Sequence, residues 1–160
     1  MVQYLELDEV SSETIRMVHG HWNAVRGSRR FPARGDIDPA AIKPALPYVM
    51  ISEVHRNPLR IRYRLVGTEV VHFSGEDFTG KWLHETDWGS YRLAVEQKYV
   101  RMLETGEPTF GIGHFTQASD GKRKPYEWAI FPLAEDGEHV DRCLLVEDYR
   151  LLDRHEAQRR

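Results

Sequence analysis

The residues with the most chemical character are His114 and Glu127, which lie on two strand-like runs that a hairpin would bring side by side. A carboxylate beside a histidine favours the charged imidazole and fixes its orientation. Catalysis also needs a nucleophile or a second acidic group, and none is spaced to join them. No catalytic set is therefore assigned, and a polar cross-strand pair that anchors a ligand is the preferred reading. A small α+β enzyme with a His114/Glu127 pocket is kept as the alternative. The aromatic set Phe73, Phe78, Trp82, Trp88, Tyr91, Phe110, Trp128 and Phe131 could line a pocket for a planar or apolar molecule. Any one of these rings could equally be core packing.

Other chemistry finds less support. There is no His-Glu-x-x-His and no cysteine cluster, so no metal site is expected. The imidazoles of His19-Gly20-His21 are two residues apart and do not share a helix face. Neither haem nor flavin is favoured as a cofactor. His72 and His84 flank short helical segments, but no Cys-x-x-Cys-His attachment sequence is present. The single cysteine, Cys143, reads as a buried strand residue, where flavin photochemistry uses a reactive helix thiol. Arg26 and Arg30 form an Arg-x-x-x-Arg, the first half of a cyclic-dinucleotide motif whose second half is missing. Arginines 26, 29, 30 and 34 are expected to pair with Asp36, Asp38 or Glu53, or to form a solvated patch.

Charge and composition narrow the class. The 160 residues are 41% hydrophobic, enough for one core and too few for two large ones. The net charge of −3 gives no general attraction to nucleic acid. No apolar run is long enough to span a bilayer, and no signal pattern opens the chain. No membrane insertion and a cytoplasmic location are the expectations.

These side chains must be positioned by a recognisable order of elements. Residues 12–26 should form a helix capped by Ser11 or Ser12, with Ile15, Val18, Trp22 and Val25 on one stripe. A connector rich in Arg, Pro and Asp follows, with a short helical turn after Asp38-Pro39. Two strands are expected at 48–55 and 59–66. Leu59, Ile61, Tyr63 and Leu65 should share one face of the second. Short helices lead to a long helix over 88–104, capped by Asp87 and ended by Gly106-Glu107-Pro108. Three strands complete the chain at 109–118, 123–133 and 141–149. Hairpin-joined strands around central helices indicate an antiparallel α+β sheet.

A two-residue turn at Asp120-Gly121 would set His114 opposite Glu127, Ile112 opposite Ala129 and Phe110 opposite Phe131. Both faces of that hairpin are substantially apolar, so each needs a cover. The central helices can supply one. The Ile15/Val18/Trp22/Val25 stripe can supply the other, within the chain or as a dimer interface.

This order, with Arg26-Gly27-Ser28-Arg29-Arg30-Phe31-Pro32-Ala33-Arg34-Gly35-Asp36-Ile37-Asp38-Pro39, Arg62-Tyr63-Arg64-Leu65-Val66-Gly67-Thr68 and Phe78-Thr79-Gly80, resembles the stand-alone PAS-domain proteins found widely in alphaproteobacteria. The resemblance implies a five-stranded antiparallel sheet with helices on one face, an extra N-terminal helix and a pocket between sheet and helices. It implies a helix and connector over 1–46, a PAS-like domain over 47–153 and a tail over 154–160. The implied role is sensory or regulatory rather than enzymatic. The module would bind a small apolar or aromatic ligand, a protein partner, or both. With no output domain recognised in the sequence, signalling would pass through a partner or a dimer. A pure interaction module with a filled core is the remaining alternative. Phe73, Phe78, Trp82, Tyr91, Phe110, His114, Glu127 and Phe131 are the pocket candidates. Ile15, Val18, Trp22 and Val25 are the interface candidates.

Overall fold

The computed structural model describes residues 2–150. Its core is one antiparallel sheet of six strands: β1 (Gln3–Leu5), β2 (Val49–His55), β3 (Arg60–Val66), β4 (Thr109–Thr116), β5 (Arg123–Leu133) and β6 (Arg142–Asp148). Their order across the sheet is β1-β4-β5-β6-β2-β3. The five expected strands are all present, and the sixth is a correction. Gln-Tyr-Leu is too short to show an alternating pattern, yet it pairs with β4, Gln3 against Ile112 and Leu5 against Phe110. It satisfies backbone groups that β4 would otherwise leave at an open edge.

Helix α1 (Glu13–Arg26) begins where its cap predicts: Ser12 Oγ accepts the Ile15 N–H at 3.1 Å. Helices α2 (Thr68–Ser74) and α3 (Ser90–Thr105) lie between β3 and β4 in the chain. The N-cap of α3 is Gly89, two residues beyond the expected Asp87, and no side chain caps it. At its other end Gly106 takes φ +65° and returns its N–H to Met102 O at 2.8 Å, the expected stop. Asp38 caps a 3-10 segment, Pro39–Tyr48, through the Ala40 N–H. The stretch to the start of β2 is two short 3-10 pieces joined at a kink, where Ile42 leaves helical geometry at φ −121°, ψ 25°.

The helices cover both faces of the sheet, not one. On the first face α3 packs on β4 and β5. On the second, α1 packs on β5 and β6, with Ile15, Val18 and Trp22 buried. The Trp22 ring lies 6.2 Å from Phe131, and its indole N–H donates to Pro132 O at 2.8 Å. The α1 stripe is therefore spent within the chain. Ile15, Val18 and Trp22 offer no surface to a second copy, and Val25 is only partly exposed.

Two registers differ from expectation. In β4–β5 the loop is four residues long, closed by Gln117 N–H on Lys122 O, so Phe110 faces Ala129, Ile112 faces Glu127 and His114 faces Pro125. A type I′ turn needs positive φ at both central residues, and here only Gly121 adopts it. The shift is by two residues, so each side chain keeps its face. In β3 one extra residue opposes Ile51–Ser52, breaking the alternation after Tyr63 and turning Leu65 outward to 42% exposure.

The glycines of β4 have a packing role. A Cβ on Gly113 would lie 2.7 Å from the Tyr126 ring, and one on Gly111 would lie 2.4 Å from both Trp128 and Gln3 O. Both rings thus lie across β4 because β4 has no side chains there. Gly113→Ala is expected to cost about 1–3 kcal/mol. Gly35→Ala, with open space around it, should stay within about 0.5 kcal/mol of wild type. Chemical denaturation of both variants checks this; equal stability would contradict the packing role.

Candidate functional site

Between the first sheet face and α2–α3 lies a cavity of about 320 Å³. Strand alternation decides who lines it. Trp128 pairs with Glu147, and Ile130 with Leu145, on the cavity side. Tyr63 and Met50 extend the wall across β3 and β2. From the helical side come Val70 and Phe73 of α2, then Tyr91, Val95 and Lys98 of α3. Phe78 and Trp88 close one end, with Phe78 edge-on to Tyr63 at 4.8 Å and to Trp88 at 5.0 Å. Phe73 lies tilted against Tyr149 at 4.4 Å and meets Phe115 edge-on at 5.4 Å. The exposed residues Ser74, His114, Thr116 and Arg123 also border the cavity and mark its mouth.

A polar group sits at the centre of this apolar wall. Lys98 is only 5% exposed. Its Nζ donates to Tyr126 Oη at 3.2 Å and stands 4.4 Å from the Trp128 ring centroid. Tyr126 Oη in turn meets Tyr91 Oη at 2.5 Å. Glu147 accepts the Tyr149 hydroxyl and borders the cavity. Burial lowers the Lys98 ammonium to about 8, with the Glu147 charge pulling the other way. Burial pushes the Glu147 carboxyl up, opposed by Lys98 and the Tyr149 hydroxyl. Burial also holds Tyr91, Tyr126 and Tyr149 well above the usual phenol range. The indole N–H of Trp128 is buried with no hydrogen-bond partner.

Among the pocket candidates, Phe73, Phe78, Tyr91 and His114 border the cavity, as do Trp88 and Trp128. Phe110 and Phe131 lie on the opposite face, 5.9 Å apart and both close to His19 of α1. Trp82 forms a bridge with Arg62 at the sheet edge and stacks under that guanidinium. Glu127 also belongs to the α1 face. It accepts the backbone N–H groups of Ser11 at 3.1 Å and Ser12 at 3.2 Å, and the Ser11 hydroxyl. Beside it in the sheet, Asp148 accepts the Ser12 hydroxyl at 2.5 Å and pairs with Arg150 at 3.0 Å. The two carboxylates anchor the positive end of α1. His114 and Glu127 are thus not a pair: Glu127 stands opposite Ile112 and His114 opposite Pro125.

The remaining candidates are occupied elsewhere. His72 and His84 do not line the cavity, and His84 Nε2 meets Arg60 at 2.7 Å. Cys143 is fully buried, and burial pushes its thiol up. Arg29 pairs with Asp36 at 2.8 Å and Arg64 with Glu53 at 3.4 Å. Among the described residues no group of three His, Cys, Asp or Glu could hold a metal ion, and no helix is long and apolar enough to cross a membrane.

Sequence reasoning missed Lys98, Glu147 and Tyr149. Glu147 is in phase with Cys143 and Leu145 along β6, and this period of two is the signal that could have found it. Lys98 lies one turn from Val95 and Met102, on the buried side of α3.

An antiparallel sheet with a partly apolar cavity under its helices defines a small α+β module. A family model described as PAS domain matches residues 10–146. The chain belongs to the PAS-domain family, a family of sensory and regulatory modules. No curated protein matches the chain.

Proposed function

We propose that this PAS domain senses a small, largely aromatic or apolar molecule held in the cavity between the sheet and α2–α3, and passes its occupancy to a protein partner. The observation that carries this reading is the buried polar centre. An ammonium and a carboxyl are held inside an aromatic wall, although an apolar filling would be cheaper. Such groups are concentrated at sites that recognise ligands. The mouth supports a route for the signal. The Ala118 N–H meets Phe73 O at 3.5 Å, so the β4–β5 loop rests on the end of α2 and would register an occupant.

The reading is of binding rather than turnover. Glu127, the candidate acid partner of His114, is committed to holding α1.

The test is native mass spectrometry of the purified chain beside its denatured mass, followed by thermal melting against a fragment library. A discrete excess mass lost on denaturation, or fragments that raise the melting temperature saturably, is the expected result. A bare chain that no fragment stabilises would contradict the reading.

A further inference from the structure

We infer that the molecule taken by the cavity is a carboxylate with an aromatic or apolar body, its carboxylate held by Lys98 Nζ beside the Trp128 ring. This rests on the ligand-binding reading above and adds the chemical class.

The donors set the class. An ammonium carries three N–H groups and no acceptor. Lys98 uses one on Tyr126 Oη at 3.2 Å. Its charge otherwise faces rings, with the centroids of Trp128, Tyr126 and Tyr91 at 4.4, 5.4 and 5.7 Å. Cation–π contacts attract the ammonium but accept no hydrogen bond in the usual sense. Trp128 is 2% exposed, and its Nε1–H has no partner. A buried donor left unpaired is destabilising. Both residues border the cavity, where Nζ lies over the face of the Trp128 ring, while the Nε1 edge is enclosed over Gly111 of β4. A carboxylate can take the Nζ donors that Tyr126 does not use, and a charged acceptor gains most in such surroundings.

The acidic group already present does not fill that role. Glu147 accepts the Tyr149 hydroxyl; its charge acts on Lys98, but the two form no direct ion pair among the described residues. Burial pushes its carboxyl up, opposed by Lys98 and the Tyr149 hydroxyl. The groups facing Lys98 are Tyr91 on its own helix, Tyr126 and Trp128 from β5, and Glu147 from β6. Phe73, Phe78, Trp88 and Phe115 remain to hold the body of the ligand.

The experiment compares matched acids and amides by calorimetric titration: 2-naphthoate with 2-naphthamide, and 4-phenylbutyrate with its amide. In wild type at pH 7 at least one acid is expected to bind about tenfold or more tightly than its amide. The preference should fade as pH rises through about 8, where Lys98 loses its charge. In Lys98→Met the acid should weaken to the level of the amide, with amide affinity kept. The pH series on wild type serves if Lys98→Met does not fold. Equal binding of acid and amide, or a preference that survives Lys98→Met, would overturn the inference while leaving a ligand site in place. Failure of all four probes to bind also overturns it, and the mass spectrum and fragment melts then judge the ligand reading separately.

Discussion

A chain lacking residues 1–27 is expected to associate or precipitate rather than remain a stable monomer. The deletion removes β1, which pairs with β4, and α1, which covers the second face of the sheet. It uncovers Phe110, Phe131, Leu144 and Val146, all now buried. Burial of Ile15, Val18 and Trp22 contributes about 1.5–3 kcal/mol each, a large part of the about 5–15 kcal/mol that stabilises a domain. Trp22→Ala is the milder version. It leaves a cavity beside Phe131 and removes the donor to Pro132 O, at a cost of about 3–5 kcal/mol. Acid should loosen the same attachment. Burial pushes the Asp148 carboxyl up, but hydrogen bonds from Arg150 and Ser12 outweigh it and hold it below its usual value. A depressed carboxyl contributes stability above its unfolded pKa and loses it as pH falls through the folded one. Asp148→Asn should therefore flatten the acid limb of the stability curve below about pH 4. A truncated chain that is monodisperse and melts with wild type would contradict this account of α1.

Replacing both members of the polar centre, as Lys98→Met with Glu147→Leu, is expected to stabilise the empty protein by about 1–4 kcal/mol while abolishing acid recognition. The pair is held at a cost. The Lys98 ammonium falls from its ordinary 10.5 to about 8 on folding, so the unfolded chain binds more protons between those values. Stability from this group therefore rises with pH across that window, and charged Lys98 is a burden at pH 7. Glu147, raised by burial, is a burden in the same range when ionised. Lys98→Met alone leaves Glu147 without its opposite charge, so the single change should gain less than the double. Denaturant titration of the three proteins at pH 7 and pH 9.5 measures this, with the advantage of the double variant shrinking at the higher pH. A double variant less stable than wild type would mean that the centre supports the fold rather than a ligand.

Much of this architecture was legible in the chain because its signals are local. Ser12 caps α1, Gly106 and Pro108 end α3, and the Asp-Gly turn between two apolar runs marks the β4–β5 hairpin. Face assignment survived even where register failed, since a slip of two residues in β4–β5 conserves parity. What was not legible depends on long-range placement. Glu127 meets Ser11 across 116 residues of chain, and nothing near either residue signals the contact. Leu65 keeps the apolar phase of β3, but a bulge set by β2 turns it outward. Lys98 reads as an ordinary surface charge on a helix; only the tertiary fold encloses it. Among aromatic residues, type alone cannot separate Phe110 and Phe131, under α1, from Phe73 and Phe78, at the cavity.

The most direct test of the cavity as a sensory site is the tryptophan indole region of a ¹⁵N–¹H NMR spectrum, recorded while small aromatic and aliphatic fragments are titrated in. The Trp128 N–H has no partner in the structure, whereas the Trp22 N–H is bonded to Pro132 O on the far face. The account predicts that fragments move the Trp128 resonance saturably and leave that of Trp22 in place. A spectrum unmoved by every fragment, or shifts confined to Trp22 and Trp82, would contradict it.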